Sequence, residues 1–260
     1  MAVTITTGKT HSRHARMLVG NSTAASNISG FMQTLEAVGV VYTQVGLSGW
    51  GDNTIQYLPG KGQLNFGQFQ SMYGKVTPAD GVDAGIHDTL SAQGVFIGTC
   101  AIGMGEAPTI GCPAFSCDFL EHSYVANFPS DSLVTVTGDV TGTESMSVYH
   151  WGQMLSVGTG VSATTNYDSV DNGASTANGA IGVLHVARSA GSMGSNNWEI
   201  KIEDSTDDGV WSDLMVFTAD GAQTIAETAT VSGSVSRYAR ATVTKTGGND
   251  LIAWVNFIRL

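Results

Sequence analysis

Charge is scarce in this 260-residue sequence: Asp, Glu, Lys and Arg together make up 13% of it, against about 25% in an average soluble domain. Lys and Arg total 11 against 22 Asp and Glu, giving a formal net charge of −11. The excess of acid is spread evenly, with 11 acids and 5 bases in residues 1–157 and 11 and 6 in residues 158–260. Bases this few and scattered exclude a tight nucleic-acid grip, which depends on clustered Lys and Arg to release phosphate counterions. The one basic cluster, Lys9, His11, Arg13, His14 and Arg16, reads as a terminal arm, either solvated or paired with an acidic neighbouring subunit. Long apolar runs are missing as well. No segment approaches the roughly 20 residues a membrane helix needs, and the opening MAVTITTGKT lacks a basic-then-apolar leader pattern. A soluble chain made in a cytoplasm, with no membrane partner, is the expectation. The 3 cysteines, Cys100, Cys112 and Cys117, are odd in number and lie in one half, which argues against a disulfide framework and for reduced, buried thiols.

Catalytic signatures are absent too. The sequence has no G-x-S-x-G elbow, no phosphate-binding G-x-x-x-x-G-K-[ST] loop and no H-E-x-x-H helix, and His87, His122, His150 and His185 have no nucleophile beside them in sequence. No enzyme activity and no cofactor are expected. Cys112, Cys117 and His122 have a spacing that zinc tolerates, but a closed structural site needs a fourth ligand from farther away. Packed cysteines in a strand are the favoured account. The acids Glu203, Asp204, Asp207 and Asp208, and separately Asp168 and Asp171 with Asn172, could supply oxygens to calcium, although Asp208-Gly209 reads more simply as a hairpin turn. Trp198, Trp211 and Trp254 could form a sugar-binding face. They lie in or beside alternating strands, where core packing is the commoner fate of tryptophan.

What the sequence has in quantity is glycine, 33 residues, and short apolar runs. These runs predict strands separated by turns. They include Phe31–Val45, Ile55–Leu58 ending at Pro59-Gly60, the region of Leu64, Phe66 and Phe69, Val95–Cys100, Ser132–Thr137 turning at Gly138-Asp139, and Glu144–Trp151. One helix is predicted, opened by Pro78-Ala79-Asp80, carried by Val82, Ile86 and Leu90, and closed by Gly94. Residues 156–180, rich in Ser, Thr, Asn and Gly, read as a linker or a chain of loops. Six further strands are predicted beyond it: Ile181–Ala187, Trp198–Ile202, Trp211–Phe217, Thr224–Val231, Tyr238–Val243 and Leu251–Ile258. Charges alternate with apolar residues in Trp198-Glu199-Ile200-Lys201-Ile202-Glu203, so one face should lie in a core. The length favours two domains, 1–157 and 158–260.

Several of these pieces resemble the major tail tube proteins of siphophages. In residues 31–93 the order is a β-rich opening, a glycine loop with Gly51-Asp52, the Tyr57-Leu58-Pro59-Gly60 turn, a strand with Gly67, and the segment Gly81-Val82-Asp83-Ala84-Gly85-Ile86-His87-Asp88-Thr89-Leu90. Toward the C-terminus, Leu184-His185-Val186, the run Trp198–Ser205, Gly209-Val210-Trp211-Ser212-Asp213-Leu214 and Arg237-Tyr238-Ala239-Arg240-Ala241 resemble the sandwich appended to many of these proteins. The resemblance covers about four fifths of the chain, leaving the first twenty residues and part of 100–130 unmatched.

The resemblance implies a mainly β protein: a tail-tube-type β-sandwich or barrel with one short helix over residues 1–157, then an outward-facing Ig-like or jelly-roll-like sandwich over 158–260. Its implied role is the tail tube of a virion, assembled in the host cytoplasm, in which hexameric rings stack into a conduit for genome ejection. The implied partners are other copies of the chain, other tail proteins at the tube ends, and DNA that passes without specific binding, with a weak host-surface glycan contact through the outer domain. By position, the loop Thr43–Lys61, with Gly46, Trp50, Asp52, Tyr57 and Pro59, would reach the adjacent ring. Glu36, Glu121, Asp131, Asp139 and Glu144 are candidate lumen acids. The alternatives are another virion structural or decoration protein, or a carbohydrate-binding module acting through the C-terminal sandwich.

Overall fold

The computed structural model describes residues 14–22, 25–29, 32–35, 38–46, 57–66, 69–72, 90, 94–132, 134–142, 151–188, 198–218, 225–247 and 250–260. Eighteen strands run through these residues. They are β1 (Ala15–Gly20), β2 (Ala25–Asn27), β3 (Met32–Leu35), β4 (Val38–Gly46), β5 (Tyr57–Phe66), β6 (Phe69–Met72), β7 (Val95–Ile102), β8 (Pro113–Asn127) and β9 (Thr135–Gly142). The chain continues with β10 (Trp151–Val157), β11 (Thr165–Asn166), β12 (Val170–Asp171), β13 (Ala180–Arg188), β14 (Trp198–Ser205), β15 (Ser212–Val216), β16 (Ala226–Val231), β17 (Tyr238–Lys245) and β18 (Leu251–Arg259). The fold is mainly β, as expected. Among the described residues Leu90 alone is α-helical, and it is fully buried; of the predicted helix, residues 78–89 and 91–93 lie outside them, and Gly94 sits in a bend.

The largest sheet follows the order β16-β13-β18-β10-β8-β7-β1-β2. It curls into a nearly closed barrel: the N–H of Ala226, at the start of β16, donates to the carbonyl of Asn21 beside β1. Hydrogen bonds across the interior report the same curvature. Thr99 on β7 reaches His185 on β13, and Asn256 on β18 reaches Ser116 on β8, although neither pair of strands is adjacent in the sheet. β8 is 15 residues long and belongs to two regions. Its first half pairs with β7 and β10, and from Phe119 onward it pairs with β9, across a register shift between Glu121 and Ser123. Such a bulge bends a strand, and here it carries β8 out of the barrel to join β9, β6 and β3.

The expected boundary at 157/158 runs through this sheet. β10 hydrogen-bonds to β18, and β18 to β13 along nine residue pairs from Ala180↔Arg259 to Arg188↔Leu251. The C-terminal strands therefore complete the barrel begun by the N-terminal ones. The expected linker is also structured, with β11 and β12 pairing with β17 and Val161 bridging Leu251. Its small polar residues serve tight turns, as at Gly158, Gly173 and Gly179, whose φ values are positive.

β13 and β18 are buried on both faces. One face meets the barrel interior; the other, with Leu184, Val186, Val255 and Phe257, packs on a second sheet in the order β11-β17-β14-β15, with β12 also on β17. That core includes Trp198, Ile200, Ile202, Met215, Phe217, Ala239, Ala241 and Val243. Gly182 permits the close approach: a Cβ there would meet Ile202 Cδ1 at 2.7 Å and Phe217 Cζ at 3.0 Å. Each fully buried Leu, Ile or Phe in such a core contributes roughly 1.5–3 kcal/mol. A third layer covers β7 and β8, where Phe96, Cys100, Phe115, Cys117 and Phe119 pack with Leu90, Val136 and Val140.

All six strands expected after residue 180 are present, and Trp198–Ser205 alternates in burial as its sequence predicts. Three expectations need correction. The Pro59-Gly60 turn lies inside β5, where the register with β4 slips between Tyr42↔Gly62 and Gln44↔Pro59; a bulge is one of the few places a strand accepts proline. Gly138-Asp139 does not turn the chain, because β9 continues through both residues: Gly138 pairs with Tyr124 of β8 and Phe69 of β6, and Asp139 with Ser123 of β8. The N-terminal basic cluster does not lie wholly in an arm: His14 is buried and Arg16 sits in β1, paired with Ala101. Lys9, His11 and Arg13 lie outside the described residues.

Candidate functional site

Four polar side chains meet in the barrel interior. Thr99 Oγ1 lies 2.7 Å from Ser116 Oγ and 2.9 Å from His185 Nε2, and Asn256 Nδ2 donates to Ser116 Oγ at 2.7 Å. All four residues are buried, and His185 Nδ1 and Asn256 Oδ1 have no partner among the described residues. Burial drives the His185 imidazole down to about 3, because the charged form loses its hydration. It is a neutral core histidine. The hydroxyls of Thr99 and Ser116 are sealed from solvent, so the group ties opposite walls of the barrel together and offers no substrate a route to a nucleophile. Sequence reading missed this cluster because its members are 17, 86 and 140 residues apart along the bonded pairs.

The positions expected to contact an adjacent ring fall on the β4–β5 hairpin. Gly46 is the last residue of β4 and pairs with Tyr57, the first of β5, while Pro59 pairs with Gln44. Trp50 and Asp52 lie outside the described residues. The expected loop is thus shorter than Thr43–Lys61, since Thr43–Gly46 and Tyr57–Lys61 are strand. β4 and β5 form a separate two-stranded sheet, and among the described strands neither has a backbone partner on its outer edge.

Of the candidate lumen acids, Glu36 and Glu144 lie outside the described residues. Asp131 is exposed in the turn between β8 and β9, and Asp139 is exposed on β9, where its Oδ2 accepts from Ser123 Oγ at 3.3 Å. Glu121 departs from the expectation. It is buried at the β8 bulge with neither carboxylate oxygen partnered among the described residues, and burial pushes it up to about 8. A carboxyl so placed is protonated at neutral pH.

The remaining candidates resolve into structural roles. The cysteines are free and buried, and burial pushes Cys100 and Cys112 up to about 11 and Cys117 to about 12, as for inert thiols. Cys112 and Cys117 sit in different apolar clusters, His122 is exposed, and no metal-holding group of His, Cys, Asp and Glu occurs among the described residues. Asp208 has a φ of 64° in the β14–β15 turn, and Asp207 Oδ1 accepts from the N–H groups of Gly209 and Val210 and from Ser205 Oγ. That is the hairpin reading. Asp171 holds Arg237 through a fork of 2.7 and 2.5 Å, which keeps its carboxyl down at about 2. Trp198 and Trp254 are core residues, whereas Trp211 is half-buried beneath the Arg240 guanidinium, 4.2 Å from its ring centre.

No family profile and no curated protein matches the sequence. Solved structures are similar at low scores, two of them as follows. A chain of the phage P2 baseplate in its activated conformation with calcium shares 7% identity at a TM-score of 0.34, covering 95% of this chain and 98% of the other. The SPP1 Dit protein, described as a paradigm of the hub adsorption apparatus in phages infecting Gram-positive hosts, shares 9% identity at a TM-score of 0.24, covering 94% and 99%. Scores this low do not establish a shared fold, and the functional reading rests on the chain's own sequence and geometry.

Proposed function

We propose that the chain is a non-catalytic structural protein of a bacteriophage tail and, more finely, a tail tube subunit whose copies close into hexameric rings that stack around passing DNA. The observation that carries this reading is the β4–β5 hairpin. A two-stranded ribbon is marginal in water, and unpaired edges invite pairing with another chain. This hairpin leaves both edges unpaired among the described strands, and it bears Gly46, Tyr57 and Pro59, three of the residues that the sequence resemblance assigns to ring-to-ring contact. Closed or stacked self-assembly would pair such edges. The net charge of −11 and exposed acids such as Asp131 and Asp139 suit a conduit that must not hold DNA, because a basic bore would bind phosphate. The partners in this reading are copies of the chain and the tail proteins at the tube ends.

Negative-stain electron microscopy of the purified chain over a concentration series, with mass determination alongside, tests this reading. Rings or tubes with a central hole are expected, and deletion within residues 47–56 should leave rings that no longer stack. A chain that stays monomeric at the highest concentration would contradict the proposal.

A further inference from the structure

The outer face of the curled sheet is covered on two sides and left open between them. The second sheet covers β13 and β18, and the layer containing Val136 and Val140 covers β7 and the first half of β8. β10 lies between, and over it runs a cleft of about 470 Å³ lined by Gly111, Pro113, Trp151, Gln153, Asn172 and Arg259. The volume falls within the roughly 300–1,000 Å³ of small-molecule sites.

Three side chains give the cleft its chemistry. Trp151 is 46% exposed, an unusual state for so large an aromatic, and Phe115 buttresses it with ring centres 5.5 Å apart. Gln153 Oε1 is shielded from water and has no partner among the described residues. Arg259 makes no ion pair among the described residues; its Nε is likewise shielded and unpartnered, and its Nη1 reaches only the carbonyl of Asn172, at 3.5 Å. Asp171, next in sequence to the lining residue Asn172, is held by Arg237. Leaving a shielded donor and acceptor unmade is costly, and a guanidinium in a fixed position is suited to grip a carboxylate through two parallel bonds.

We propose that this cleft binds an acidic sugar, with the pyranose ring stacked on Trp151, its carboxylate on Arg259 and a hydroxyl against the Gln153 side chain. This site is independent of the assembly reading, since it needs one copy of the chain. It also differs from the sugar-binding face considered from sequence: it lies on β10 and β18, and none of Trp198, Trp211 and Trp254 lines it.

Calorimetric titration and saturation-transfer NMR of the full chain with glucuronate, galacturonate and N-acetylneuraminate, against glucose and galactose, test the proposal. At least one acidic sugar should bind at least about tenfold tighter than its neutral counterpart. Trp151→Ala and, separately, Gln153→Ala should each weaken that binding severalfold or more while leaving the thermal midpoint near wild type, and Arg259→Gln should erase the preference for the acid. Failure of all three acidic sugars to bind at millimolar concentration would overturn the site. So would binding that survives Trp151→Ala, or acetate and phosphate binding as tightly as the sugars.

Discussion

Strands β13 and β18 separate two kinds of interior. Toward the barrel, His185 and Asn256 reach across to Thr99 and Ser116 in a polar cluster with two atoms left unpartnered among the described residues. Toward the second sheet, Leu184, Val186, Val255 and Phe257 meet an apolar core. The apolar side is non-directional and tolerates shape-conserving change. The polar side is directional, so it selects one arrangement of the four walls and loses much when any member is removed. One strand pair thus supplies bulk stability on one face and a specific register on the other.

Substitutions on the two faces should break this comparison in different ways. The largest loss is expected in the apolar core, where Ile200→Ala should cost about 2–5 kcal/mol in urea unfolding with the slope unchanged. On the polar face, Thr99→Val strands the His185 ring and should cost about 1–3 kcal/mol, and a double-mutant cycle with Asn256→Leu should be non-additive, whereas Ile200→Ala with Thr99→Val should be nearly additive.

Proton linkage sharpens the contrast. His185 is held near 3 in the folded chain against an ordinary value of 6.5, so the unfolded chain binds the proton more readily and stability should fall as pH drops from about 6.5 toward 3. Glu121 has the opposite sign. Its folded value of about 8 lies above the ordinary 4.5, so its contribution is fully present below 4.5 and is lost as pH rises toward 8. His185→Gln should flatten the acid limb of a stability–pH profile, and Glu121→Gln should flatten the alkaline one. The smallest effect is expected for Arg237→Ala. Its pair with Asp171 is solvent-exposed, so the unfolding midpoint should barely move, and any difference should vanish at high salt.

The sequence revealed half-buried strands far better than strands buried on both faces. Trp198–Ser205 alternates between core and water, and its periodicity is plain. The first half of β8, Pro113–Phe119, is buried almost throughout; its mixture of Ala, Ser, Cys and Phe shows no alternation, so the packed cysteines were the one sign of a strand there. The strand pairing across 157/158 was hidden for a related reason. Ser, Thr, Asn and Gly mark turns, and composition does not say whether the chain beyond a turn starts a new body or returns to an existing sheet, as β13 and β18 do. At the candidate sites, the turn role of Asp208-Gly209 was legible because positive φ is a local requirement. The Thr99–Ser116–His185–Asn256 cluster and the cleft of Trp151, Gln153 and Arg259 depend on strands that meet only after folding.

The claim that β13 and β18 form a wall shared by both interiors is tested most directly by cutting the chain at 157/158. Residues 1–157 and 158–260 would be expressed separately and together, and each sample followed by amide hydrogen exchange. The shared wall predicts that neither piece alone protects its strands, because 1–157 lacks three barrel strands and 158–260 would expose the barrel face of β13 and β18, and that mixing the two restores protection. Full protection of 158–260 on its own, unchanged by addition of 1–157, would contradict it.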